Sequence, residues 1–227
     1  MPLTEEFKRL AGEAAVAYVK DGMTIGLGTG STASYAIRQL GRIVREREWT
    51  VRGVATSLDT EALAKSLGIP LVSLDSLDAI DVAIDGADEV DPKLNLIKGG
   101  GGAHFREKVV ARTAAKVVIV VDAAKLVPVL GTKALVPVEV HPFGWRQTKA
   151  WLEALWCTAT LRIVEGAPFQ TDNGNLILDC RFGPIARPDK LEREINNVTG
   201  VLENGLFVGL ADVVLAAGAD GLRTLTR

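Results

Sequence analysis

Short apolar runs alternate with amphipathic segments along the first half of the chain. The runs are unbroken rather than alternating with polar residues, which is typical of strands covered on both faces. They predict strands at residues 23–28, 51–55, 80–84 and 116–121. In the amphipathic segments apolar residues recur every three or four positions, which predicts helices at residues 4–20, 31–47, 58–67 and 104–115. This alternation indicates a parallel sheet with helices on both faces.

The order of the predicted elements changes after Pro128. Strands are predicted at residues 135–140, 158–164, 176–181 and 201–203, and helices at residues 145–156 and 190–197. The order β-α-β-β-α-β is that of a ferredoxin-like unit. We therefore predict an α/β fold in which a smaller ferredoxin-like α+β domain is inserted near the C-terminus of a Rossmann-like parallel-sheet domain. The predicted boundaries are 1–127 and 207–227 for the larger domain and 128–206 for the smaller one, with segments 207–209 and 213–216 returning to the first sheet.

Composition narrows the class of protein further. The 227 residues are 48% hydrophobic and 24% charged, with a formal net charge of −2, so the chain is not expected to bind nucleic acid. The two cysteines, Cys157 and Cys180, form no Cys-x-x-Cys pair, which argues against a disulfide framework or a structural zinc site. The N-terminal segment has no signal-peptide pattern, and no apolar run is long enough to span a bilayer. We expect a cytoplasmic protein without a membrane partner.

A glycine-rich turn follows the first predicted strand. Gly26 opens it, and Thr29, Gly30, Ser31 and Thr32 lead into the next predicted helix. Glycines allow close backbone approach, and a helix start offers unpaired N–H groups, so the turn suits a phosphate monoester. A dinucleotide fingerprint starting at Gly26 would need glycine at position 31, and the Gly-Lys-Ser/Thr sequence of nucleoside-triphosphate-binding loops is absent. A well-capped turn without a ligand is the alternative.

An acidic cluster follows the third predicted strand. It contains Asp85, Gly86, Ala87 and Asp88. The carboxyl ends of parallel strands are where open α/β sheets bind ligands, so Asp85 and Asp88 are candidates for holding sugar hydroxyls or moving their protons. A magnesium or calcium site and a solvated acidic turn are the alternatives.

The third cluster is a lysine, a run of glycines and a glutamate on the following helix. Lys98 precedes Gly99, Gly100, Gly101 and Gly102, and Glu107 lies about one turn inside the helix. The glycine amides are able to form a nest for an oxyanion, with Lys98 adding positive charge. A base beside such a nest is what enolisation next to a carbonyl requires. A flexible hinge before a surface helix is the alternative.

Taken in order, these motifs resemble type A ribose-5-phosphate isomerase. The resemblance rests on residues 28–32, on residues 85–88, and on residues 98–101 with Arg106, Glu107 and Lys108. It implies interconversion of ribose 5-phosphate and ribulose 5-phosphate in the non-oxidative branch of the pentose phosphate pathway. It further implies no cofactor, no metal, a sugar phosphate as the small-molecule partner, and a homodimer or homotetramer. The chain departs from the pattern in Gly102 and in His104-Phe105 before Arg106.

The resemblance also assigns roles to single residues. Glu107 would be the base that carries a proton from C2 to C1 through a cis-enediolate. Asp85 would open the sugar ring, and Lys98 with the glycine amides would stabilise the negative oxygen. The residues expected to bind substrate are Thr29, Gly30, Ser31, Thr32, Asp85, Gly86, Ala87, Asp88, Lys98, Gly99, Gly100, Gly101 and Lys125, with Lys8 as a further candidate.

Two other functions fit parts of the pattern. A coenzyme A transferase would also use glycine-rich loops, with the glutamate as a nucleophile. A sugar-phosphate-sensing module would bind the same ligand without turnover, but the chain has no spare basic segment for a DNA-binding helix-turn-helix.

Overall fold

The computed structural model of the protein describes residues 3–227. The α-helices of this range are α1 Leu3–Ala15, α2 Ser31–Arg47, α3 Leu58–Ser66, α4 His104–Thr113, α5 Trp145–Glu153 and α6 Pro188–Asn196. Short 3-10 turns occur at Val16–Tyr18, Leu74–Ser76 and Ala123–Lys125. Within the described range, no helix combines the length and the apolar character that crossing a membrane would require.

The strands are mostly short. They are β1 Thr24–Leu27, β2 Arg52–Ala55, β3 Val82–Asp85, β4 Glu89–Val90, β5 Leu96–Ile97, β6 Val117–Asp122, β7 Val136–Val140, β8 Thr158–Leu161, β9 Ile163–Val164, β10 Ala167–Pro168, β11 Leu176–Arg181, β12 Val201–Asn204, β13 Leu206–Phe207, β14 Val213–Gly218 and β15 Gly221–Thr226. The predicted helix at 31–47 and strand at 176–181 match α2 and β11 residue for residue, and most other predicted elements differ at their ends by a few residues.

Helix α2 shows why its prediction succeeded. Its buried residues recur at helical spacing and form one apolar face: Ala33, Ala36, Ile37, Leu40, Gly41 and Val44. Arg45 and Arg47 lie in the last turn, where positive charge is favourable, and Glu48 ends the helix in the left-handed region. Local sequence thus specifies both the face and the end of this helix.

One compact unit comprises the described residues up to 87 together with 106–126 and 210–227. Its six-stranded sheet has the order β15-β14-β6-β3-β1-β2, in which β15 is antiparallel to β14 and the other pairs are parallel. The strand order reverses beside β1, since β2 follows it on one side and β3 on the other. Such a reversal creates a crevice at the carboxyl ends of the strands. This unit confirms the predicted parallel sheet.

The second compact unit comprises residues 88–105 and 127–209. Its four-stranded sheet has the order β12-β7-β11-β8 with every pair antiparallel, as the predicted ferredoxin-like order requires. A three-stranded sheet, β13-β5-β4, and the small hairpin of β9 and β10 complete the strands of this unit. The apolar core includes Val138, Leu152, Leu178 and Ile195, all of them fully buried.

Several sequence-based expectations differ from the structure. Phe207 does not return to the first sheet, because β13 pairs with β5 in the second unit. The expected strand at 158–164 is divided at Arg162 into β8 and β9. Strands β4, β5, β10 and β15 were not predicted. The predicted domain boundaries stay a proposal, and the compact units group residues 88–105 with the second unit rather than with the first.

Core packing in the second unit predicts unequal effects for two leucines of its four-stranded sheet. Leu178 is 0% exposed and Leu202 is 38% exposed. We expect Leu178→Ala to lower the free energy of unfolding by about 2–5 kcal/mol, because a cavity adds to the lost burial. The control Leu202→Ala should cost less than about 1 kcal/mol. Urea unfolding measures both, and equal losses would contradict the assigned packing.

Candidate active site

The loop after β1 packs tightly against the end of β3. The Gly28 N–H donates to the carbonyl of Ile84 at 2.9 Å. The Asp85 Oδ1 accepts from the N–H groups of Thr29, at 3.1 Å, and Gly86, at 2.7 Å. A Cβ on residue 28 would overlap the Asp85 carboxylate, so this close approach requires glycine. The first two sequence motifs therefore meet at the point where the strand order reverses.

The N-terminus of α2 is open to an anion. Gly30 occupies the N-cap position with φ 108° and provides no side-chain cap. The N–H groups of the first turn, including those of Ser31 and Thr32, have no carbonyl partner within the helix. Ser31 is exposed and Thr32 is half-buried. A helix start of this kind favours phosphate by its N–H groups and by its dipole.

The hydroxyl of Thr29 belongs to a cluster that the sequence analysis missed. Its Oγ1 lies 2.8 Å from Thr56 Oγ1, 2.8 Å from Ser57 Oγ and 3.3 Å from Thr60 Oγ1. Thr60 in turn donates to the carbonyl of Gly28 at 2.9 Å. Ser57 is the N-cap of α3 and accepts from the Thr60 N–H, a pairing that the Ser-x-x-Thr spacing signals. The cluster fixes the side chain of Thr29 and steadies the loop.

In the second unit, a two-stranded hairpin brings the second and third motifs together. Glu89 of β4 pairs with Ile97 of β5, which places Asp88 beside Lys98. The Asp88 N–H donates to the carbonyl of Ile97 at 2.7 Å. The Asp88 Oδ2 accepts from the Gly100 N–H at 2.8 Å. The carboxylate therefore holds the glycine segment directly.

Lys98 is buried, with 3% of its surface exposed. Its N–H donates to the carbonyl of Gly205 at 2.9 Å, and its ammonium lies 5.4 Å from the centre of the Phe207 ring. The ring face attracts the cation and fixes its position. Burial of an ammonium group costs free energy unless the group has partners, so the environment of Lys98 restricts where its charge lies.

Two of the four glycine N–H groups are used within the chain. Gly100 donates to Asp88, and Gly102 donates to the carbonyl of Gly99 at 3.0 Å. Among residues 3–227, the N–H groups of Gly99 and Gly101 make no such hydrogen bond. The expected nest is thus reduced to these two donors.

The glycine positions also differ in whether they have room for a side chain. A Cβ on Gly102 would lie 2.5 Å from the Cε1 atom of Phe169, and its φ is +82°. Gly101 has open space where a Cβ would be. Packing within the chain therefore requires glycine at position 102 but not at position 101.

Glu107 lies in the first turn of α4 and is 5% exposed. Lys125 is half-buried at the end of the 3-10 turn that follows β6. The Lys8 ammonium lies 2.7 Å from Glu5, whose other oxygen accepts from the Tyr35 hydroxyl. The pKa of the Glu5 carboxyl is lowered mainly by the hydrogen bond from Lys8 and to a smaller extent by the hydrogen bond from Tyr35.

Within residues 3–227, no group of three His, Cys, Asp or Glu side chains is arranged to hold a metal.

Comparison with known proteins decides the family. The family model of ribose 5-phosphate isomerase A (phosphoriboisomerase A) matches residues 52–221. The chain belongs to this family. Ribose-5-phosphate isomerase A of Chloroflexus aurantiacus is 50% identical over 225 residues, which cover 98% of this chain and 94% of that protein.

Solved structures of the family have the same fold. Ribose 5-phosphate isomerase A from Methanocaldococcus jannaschii superimposes with a TM-score of 0.94 and 45% identity, covering 99% of this chain and 100% of that one. A D-ribose-5-phosphate isomerase in complex with phospho-erythronic acid gives a TM-score of 0.96 and 44% identity, covering 99% of each chain.

Membership of the ribose 5-phosphate isomerase A family confirms two predictions of the sequence analysis. The resemblance was correct, and the chain is an enzyme of the isomerase type. The transferase and the sensor receive no support from these comparisons. The roles of single residues stay predictions.

The two glycines provide a matched test of the loop. We expect Gly102→Ala to lower the free energy of unfolding by about 1–3 kcal/mol, because the new methyl group meets Phe169. Gly101→Ala should change it by less than about 1 kcal/mol, since the position is open. Thermal and urea unfolding check both variants. A larger loss for Gly101→Ala than for Gly102→Ala would contradict the described loop.

Proposed function

We propose that the chain interconverts D-ribose 5-phosphate and D-ribulose 5-phosphate through a cis-enediolate, in the non-oxidative branch of the pentose phosphate pathway. The observation that carries this proposal is the glycine segment, which leaves the N–H groups of Gly99 and Gly101 unused directly before the helix of the buried Glu107. Oxyanion donors and a carboxylate base are the two things that enolisation beside a carbonyl needs.

The proposed reaction consists of ring opening followed by proton transfer between C2 and C1. Asp85 assists ring opening by accepting the proton of the ring hydroxyl at C1 and supplying one to the ring oxygen. Glu107 then removes the proton from C2, and the electron pair forms the C1–C2 double bond while negative charge develops on O1. The proton on O2 passes to the negative O1, which becomes a hydroxyl, and Glu107 returns its own proton to C1. C2 becomes the carbonyl carbon, so the aldose becomes the ketose with no net loss of atoms.

The negative oxygen requires stabilisation throughout these steps. Lys98 supplies a positive charge, and the N–H groups of Gly99 and Gly101 supply hydrogen bonds. Donors fixed in advance contribute about 3 kcal/mol each to the transition state. Asp88 holds sugar hydroxyls. The open start of α2 binds the phosphate, whose binding energy positions the reacting carbons.

The ligand of the related structure is consistent with this chemistry. Phospho-erythronic acid is bound by that D-ribose-5-phosphate isomerase. It joins a phosphate to a planar, negatively charged carboxylate, and an enediolate is likewise planar and negatively charged. This supports a sugar phosphate as the substrate of the present chain. A cytoplasmic location and assembly into a homodimer or homotetramer are further proposals, based on the composition and on the family resemblance.

Replacement of the base is the first test. We expect Glu107→Gln to lower kcat by about 10²- to 10⁴-fold, because the amide keeps the shape but accepts no proton. Substrate affinity, measured by calorimetry, should change much less. The control Glu46→Gln alters an exposed side chain of α2 and should leave kcat unaffected. A Glu107→Gln enzyme with nearly normal kcat would show that another group is the base.

The second test concerns the acidic cluster. The proposal assigns charge stabilisation to Lys98 and to backbone N–H groups, so turnover of ribose 5-phosphate should be unchanged in excess EDTA. The rate of ribulose 5-phosphate formation checks this. Loss of activity that magnesium restores would keep the reaction but overturn the metal-free mechanism.

A further inference from the structure

Arg162 links the four-stranded sheet of the second unit to the glycine segment. It lies between β8 and β9, and its side chain is 14% exposed. Its Nη1 donates to the carbonyls of Gly99 and Gly100, both at 3.0 Å. Nothing in the sequence analysis assigned it a role. The same guanidinium thus holds two consecutive peptide groups of the candidate site.

Arg162 is itself held rigidly. Its Nε and Nη2 donate to the two carboxylate oxygens of Asp179, at 2.9 and 2.5 Å. Its guanidinium carbon lies 5.7 Å from the centre of the Phe169 ring, and the Phe169 N–H donates to the Arg162 carbonyl at 2.9 Å. A bidentate pair and an adjacent aromatic face fix the plane of the guanidinium. The two donors on Nη1 therefore have a defined direction.

These contacts determine how the glycine peptides are oriented. In a trans peptide the C=O and the following N–H point in opposite directions. The peptide between Gly99 and Gly100 is accordingly held on both sides, by Arg162 at its carbonyl and by Asp88 at its N–H. The next peptide has its carbonyl on Arg162, so the Gly101 N–H points away from Arg162. It faces the same side as the Gly100 N–H, which is the side of the Asp88 carboxylate.

We propose that Arg162 is a positioning residue for the isomerisation, which aims the Gly101 N–H at the oxygen that becomes negative. This inference rests on the proposed function. Without Arg162, Asp88 still holds the Gly99–Gly100 peptide at its N–H, but the Gly100–Gly101 peptide loses the partner of its carbonyl, so the Gly101 donor is no longer fixed before the reaction. Preorganised donors lose most of their value when they must reorient during the step.

Lysine is a poor substitute at this position. The guanidinium serves four acceptor atoms at once, two carboxylate oxygens and two carbonyls. An ammonium has three donors and no fixed plane, so it cannot reproduce this fork. We therefore expect the charge alone to be insufficient.

The test compares Arg162→Ala and Arg162→Lys with the control Arg181→Ala. Arg181 is exposed at the end of β11, two residues beyond Asp179. We expect both Arg162 variants to lower kcat for ribose 5-phosphate by about 10- to 100-fold, because a small misplacement of a catalytic group is costly. KM should stay within about threefold of the wild-type value, since the substitutions do not alter the residues proposed to bind the phosphate. Arg181→Ala should match the wild type.

Chemical rescue separates positioning from a general loss of structure. Added ethylguanidinium should raise kcat of Arg162→Ala several-fold and should have no effect on Arg181→Ala or Glu107→Gln. Hydrogen exchange of residues 98–105, followed by mass spectrometry, should be faster in Arg162→Ala than in the wild type. If Arg162→Ala does not fold, Asp179→Asn provides the same test, because it keeps the shape but weakens the hold on the guanidinium.

Different results would overturn the positioning role of Arg162 and the proposed isomerase function. An unchanged kcat in the Arg162 variants, a loss confined to KM, or an absence of rescue would overturn the positioning role. For Asp179→Asn the equivalent result is an unchanged kcat. Failure of wild type and Arg181→Ala to turn over ribose 5-phosphate would instead overturn the proposed function, and the exchange measurement would still decide whether Arg162 holds the loop.

Discussion

The contact between Gly28 and Asp85 is the constraint on which the first unit depends. Parallel pairing of β1 with β3 brings the two chains together, and the Gly28 N–H continues the ladder to Ile84. Only glycine leaves room for the Asp85 carboxylate, which accepts from the Thr29 N–H. The turn that follows leads directly to the N-terminus of α2, which has no side-chain cap. One close approach thus fixes the loop after β1 and the Asp85 carboxylate relative to each other.

In the second unit, a hairpin brings candidate site residues close to one another. Pairing of β4 with β5 is only two residues long, yet it sets Asp88 beside Lys98 and lets the carboxylate hold Gly100. Arg162 supports the same segment from the side of the four-stranded sheet. The glycines permit this arrangement, and the neighbouring charged side chains make it rigid. Such rigidity is what gives backbone donors their value in catalysis.

Sequence predicted the parts that local pattern determines. The apolar periodicity of α2 and the glycine motifs needed no knowledge of distant residues. Strands β4 and β5 were not predicted because two residues are too few to show a hydrophobic period. Strand β13 was assigned to the wrong sheet because its partner β5 is distant in sequence. Arg162 lies more than 60 residues from the glycines that it holds, so only the folded sheet reveals it. The Thr56, Ser57 and Thr60 cluster likewise depends on pairing between β1 and β2.

In the proposed mechanism a proton, and not a hydride, moves between C2 and C1. The most direct measurement is turnover of ribose 5-phosphate in deuterated water, with the ribulose 5-phosphate product analysed by NMR. While the base carries the proton taken from C2, part of that proton exchanges with solvent. We therefore expect deuterium at one position of C1 in a measurable fraction of the first-formed product. Product that carries no deuterium at C1 would indicate a direct hydride shift and would contradict the enediolate mechanism.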